Sequence, residues 1–111
     1  MNLAVEWQGR TMIVRVEETR IDAAVAILFK DAMREMVAMP SDRIILDLSR
    51  VAFLDSSGLG AVVAVMKLMD AGRPLEIAGL TPTVEKVFRL TRMDRVFTIH
   101  PTAGAGDDDA R

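Results

Sequence analysis

The sequence predicts an α/β fold: a small mixed sheet of about four to five strands, opened by an N-terminal hairpin and carrying three main helices. Three observations predict it. Two short strand-like runs stand at the start, the second rich in β-branched residues, separated by Gln8-Gly9-Arg10, which reads as a turn. Beyond Asp22, aliphatic runs too short to be helices alternate with stretches whose apolar residues recur at helical spacing. The resulting order, β-β-α-β-α-β-α-β, implies parallel pairing through crossover helices after the hairpin.

Residues 3–7 form the first expected strand and residues 12–16 the second, whose β-branched content supports extended structure. Residues 17–21 read as a polar connection. Asp22 is the expected N-cap of the first helix, its carboxylate accepting from first-turn N–H groups. Phe29, Ala32, Met33, Met36 and Val37 fall on one face of that helix, and Pro40 stops it. Residues 43–48, apolar on both faces, read as a central strand. The second helix is expected over 59–69, the next strand over 74–79, and the third helix from Thr81-Pro82: a hydroxyl cap, then proline at the first helical position. Residues 96–99 read as a last strand. Residues 1–101 are expected to make one domain, and 102–111 a flexible acidic tail.

Composition narrows the function. The chain has 111 residues, 50% hydrophobic and 27% charged, which fits one folded domain. With no cysteine and one histidine, His100, disulfides, thiolate nucleophiles and two-histidine metal sites are excluded. The net charge of −2 comes entirely from the three aspartates and one arginine of the last five residues. No basic excess points to nucleic acid, so a protein or a small molecule is the expected partner. Glu6 and Arg10 interrupt the first ten residues, so no export leader is expected. The longest uncharged stretch, between Asp55 and Lys67, is too short for a membrane span. The expected location is the cytoplasm, without membrane insertion.

The most informative segment is Asp55-Ser56-Ser57-Gly58-Leu59-Gly60, between an aliphatic strand and a helix. Ligands and modifications gather at such strand ends. Helix-start N–H groups lack intrahelical partners and favour an anion. On this reading Ser57 caps the helix and Ser56 stands one residue outside it, facing solvent. A dinucleotide fingerprint would need glycine where Val63 stands, and a Walker loop would need a lysine. A serine hydrolase would need a G-x-S-x-G elbow and a nearby base, and His100 lies near the end of the chain that is expected to fray. No catalytic set, metal site or cofactor is therefore expected. An ordinary capped helix start is the plain alternative. Against it stand the surplus polar groups and the helix that follows. Leu59, Val62, Val63 and Met66 make a core stripe, while Ala61, Val65 and Leu68 make a second. That second stripe is buried by a neighbouring helix or receives a partner beside Ser56. Ile27 is a further candidate for the same surface.

From Ile44 to Met69, with the D-S-S-G-L-G hexapeptide at its centre, the sequence resembles a STAS domain of the bacterial anti-sigma factor antagonist family. The likeness extends over residues 3–100, including the helix entries at Ile21-Asp22 and Thr81-Pro82. It implies binding to an anti-sigma factor with serine kinase activity, which releases a sigma factor. It further implies phosphorylation of Ser56 to end the complex, and a PP2C-type phosphatase to restore it. The implied partner-binding residues are Asp22, Asp55, Ser56, Ser57 and Gly58, to which the second stripe adds Ala61 and Val65. Where the family often has Glu-Leu-Asp, this chain has Arg20-Ile21-Asp22, reversing the local charge. A competing expectation is an adaptor that is never phosphorylated, in a lipid-transport, stress-signalling or chemotaxis-associated complex. A nucleotide-binding module is a third.

Overall fold

The computed structural model describes residues 1–104. Strands β1 (Leu3–Gln8) and β2 (Thr11–Val16) form the hairpin, turned at Gly9 with φ 60°. A two-residue strand β3 (Arg20–Ile21) leads into α1 (Ala23–Ala38). Then come β4 (Arg43–Asp47), a second two-residue strand β5 (Phe53–Leu54), α2 (Ser56–Leu68), β6 (Leu75–Ala78), α3 (Pro82–Leu90) and β7 (Ile99–His100). The main sheet runs β1-β2-β4-β6-β7, antiparallel in the hairpin and parallel elsewhere. This is the predicted mixed sheet with three helices. None of the described helices is long and apolar enough to cross a membrane.

The alternation of the strands builds the core. Met12, Val14 and Val16 of β2, Ile44 and Leu46 of β4, and Leu75 and Ile77 of β6 face the helices. They meet Phe29 and Met33 of α1, Val62 and Val65 of α2, and Val84 and Phe88 of α3 in one cluster, so all three helices cover the same sheet face. On the other face Ile13, Ile45 and Ala78 form a small second cluster.

Four expectations need correction. The polar connection 17–21 ends in β3, which pairs in parallel with β5. That pair is held by backbone bonds, Ala52 N–H to Thr19 O at 2.8 Å among them, which leave no periodic trace in the sequence. The last strand lies at Ile99–His100 rather than 96–99. Arg92 (φ 62°) starts a 3-10 turn over Met93–Arg95, after which Phe97 packs edge-on against Phe88, ring centroids 6.0 Å apart. The Thr81 hydroxyl does not cap α3; it donates to Val51 O at 2.7 Å, tying the helix entry to the segment before β5. His100, expected at a frayed end, lies 2.8 Å from Glu76, which also accepts from Arg43 at 3.0 Å. Of the expected tail, Ala103 packs beside Ile13, Ile45 and Ala78. Residues 105–111 lie outside the described residues.

Candidate functional site

The site is built where β3 and β5 run side by side into α1 and α2. Its helix cap differs from the expected one. Asp55, not Ser57, is the N-cap of α2, accepting from Gly58 N–H at 2.8 Å. A carboxylate makes the stronger, charge-assisted bond to a helix-start N–H, so it displaces the serine hydroxyl from that role. The helix therefore starts at Ser56, three residues earlier than its apolar pattern suggested. Ser56 and Ser57 are its first two residues, both exposed, with N–H groups that have no intrahelical acceptor.

Asp55 does a second job. Its other oxygen accepts from Ala23 N–H at 3.3 Å, the first residue of α1. One side chain thus touches both helix starts. Asp22 caps α1 as predicted, accepting from Ala24 N–H at 3.1 Å. The two acidic caps and Ser56 are consequently brought together at one end of the molecule.

Gly58 makes the approach close. A Cβ there would run into the Ile21 carbonyl oxygen and lie 3.0 Å from Leu54 Cδ1, so only glycine lets α2 start against β3. Gly58 is buried and offers no side-chain surface. Gly60 is the opposite case: it is exposed, and a Cβ would meet nothing within 4 Å.

The second apolar stripe is mostly internal. Ala61 is 4% exposed and Val65 is fully buried, because α1 lies against α2 and both residues join the main core. The expectation that they face a partner is corrected accordingly; of that stripe only Leu68 is open. Exposed apolar surface stands instead on α1, where Ile27 is 65% and Leu28 51% exposed. Phe53 was missed altogether. It is partly exposed, with the Arg20 guanidinium 4.3 Å above its ring. Arg20 also reaches Asp22, Nε to Oδ2, at 3.4 Å. An isolated aromatic on a two-residue strand carries no pattern from which to predict this.

Comparison with known structures places this geometry among relatives. The chain is similar to an anti-sigma factor antagonist from Mycobacterium paratuberculosis, at 26% identity over 94% of this chain and 88% of the other, with a TM-score of 0.85. It shares its fold with SpoIIAA in its unphosphorylated form, at 24% identity, 99% and 96% coverage and a TM-score of 0.76. The same holds for the Bacillus cell fate determinant SpoIIAA in its phosphorylated form, at 24% identity, 99% and 100% coverage and a TM-score of 0.69. The model of the STAS domain family matches residues 2–105, nearly the whole sequence. The chain therefore belongs to the STAS domain family and resembles its anti-sigma factor antagonists.

Proposed function

We infer that the protein is an anti-sigma factor antagonist whose binding is switched by phosphorylation of Ser56. Its partner would be an anti-sigma factor with serine kinase activity, and a PP2C-type phosphatase would reverse the modification. The observation that carries this reading is Ser56 itself: an exposed hydroxyl at the first position of α2, beside two acidic caps. The similarity to the Mycobacterium paratuberculosis antagonist supports the partner class. SpoIIAA, which shares the fold, exists in both phosphorylation states.

The switch follows from electrostatics. Unmodified Ser56 enters an interface as a small neutral group. A phosphate adds a charge of about −1.5 to −2 next to Asp55 and Asp22, in a contact that excludes water. A penalty of roughly 3–4 kcal/mol weakens binding by more than two orders of magnitude, since each ~1.4 kcal/mol is tenfold. The fold itself tolerates the modification. The α2 N-terminus favours an anion by about 0.3–1 kcal/mol, and Ser56 is exposed. Ser57, Asp22, Asp55 and the exposed apolar start of α1 with Ile27 and Leu28 would complete the docking surface.

The test is to incubate the protein with its cognate kinase and ATP and to map the phosphate by mass spectrometry. Modification at Ser56 is expected. Modification elsewhere with Ser56 untouched would contradict the assignment, and no modification at all would favour a docking adaptor that is never phosphorylated.

A further inference from the structure

We propose that Arg20 is the arm that receives the phosphate on Ser56, neutralising part of its charge and stabilising the modified state. This rests on Ser56 being the phosphoacceptor. Arg20 and Phe53 are paired across β3 and β5, and β5 runs through Asp55 into Ser56. Ile21 is buried, so its neighbour Arg20 points outward by strand alternation, as its 59% side-chain exposure shows. The guanidinium rests on the face of Phe53, three residues before Ser56. That stacking holds the head group, by its flat face, on the strand that leads into α2.

Its present anion is a poor competitor. The Nε to Asp22 separation is 3.4 Å, long against the ~2.7–2.9 Å of a charge-assisted hydrogen bond. Asp22 is also committed to capping α1 through its other oxygen. A phosphate carries more charge than a carboxylate and three acceptor oxygens, which suit the planar fork of arginine. Lys67 lies in the last turn of α2, at the opposite end of the helix. Arg20, stacked on Phe53 and loosely paired with Asp22, is therefore placed to answer a charge on Ser56.

The test places phosphoserine at position 56 during translation, so the result does not depend on any kinase, and follows the phosphorus NMR shift against pH. In the otherwise unaltered protein the second phosphate ionisation is expected lower than in Arg20→Gln by about 0.5 pH unit, the scale of one exposed ion pair. Arg20→Lys, which keeps the charge and loses the fork, should fall between. Arg34→Gln, on the far part of α1, should leave the titration unchanged, and 1 M salt should shrink the Arg20→Gln difference. Identical titrations for the arginine and glutamine proteins, with both folded by circular dichroism, would overturn the proposal. A kinase that leaves Ser56 unmodified would instead overturn the functional reading, and the titration would still report on Arg20.

Discussion

Two glycines, two residues apart on α2, should respond to the same substitution with opposite signs. At Gly58 a methyl group would collide with the Ile21 carbonyl oxygen and crowd Leu54. The atom in the way is backbone, and Ile21 O also accepts from Asp55 N–H at 3.4 Å, so it cannot swing aside as a side chain would. Forcing β3 and α2 apart costs about 3 kcal/mol, at the upper end of the usual overpacking range. Alanine recovers about 1 kcal/mol through its better helix propensity. The net loss for Gly58→Ala is then about 2 kcal/mol. At Gly60 the added methyl meets nothing, and only the propensity gain of about 0.5–1 kcal/mol remains. For a domain of this size about 4 °C of melting temperature corresponds to 1 kcal/mol. Thermal unfolding by circular dichroism should therefore show Gly58→Ala about 8 °C below the parent and Gly60→Ala about 2–4 °C above it. A Gly58→Ala protein as stable as the parent, or a destabilised Gly60→Ala, would refute the claim that close approach of α2 to β3 organises the site.

Other expectations concern the caps and ties around it. Asp55→Ala removes the acceptor for both Gly58 and Ala23 N–H groups and should lower unfolding free energy in urea by about 1–2 kcal/mol, with Asp55→Asn losing less. Thr81→Val keeps the side-chain shape but leaves the Val51 carbonyl without its 2.7 Å donor, a loss of about 1–2 kcal/mol by the same measurement. Thr81→Ser should retain most of that stability.

How far the sequence foretold these features depended on the kind of force involved. Burial leaves a periodic signature, so the hairpin, the central strand at Arg43–Asp47 and the face of α1 carrying Phe29 and Met33 were readable directly. Proline at the first position of α3 is a similar local mark. Beyond these, β3 and β5 are held by backbone bonds between residues some thirty positions apart, and neither has the length to show alternation. The start of α2 was misread for a related reason. Asp, Ser and Ser are all good caps, and which one wins depends on Gly58 lying against β3 and on Ala23 approaching Asp55. The burial of Ala61 and Val65 likewise depends on where α1 crosses α2, which no single helix pattern contains. That Ser56 faces solvent was legible from local chemistry, while its proposed role came from the family resemblance. The stacking of Arg20 on Phe53 was not, because it joins two segments that only the small ladder brings together.

In the proposed switch, negative charge at the first position of α2 governs partner affinity. Calorimetric titration of the proposed partner, an anti-sigma factor with serine kinase activity, with Ser56→Ala and Ser56→Asp tests this most directly. Alanine should bind within a few-fold of the parent and aspartate at least about tenfold more weakly, a difference of ~1.4 kcal/mol or more, with matching circular dichroism spectra. Equal affinities for the two variants would contradict it.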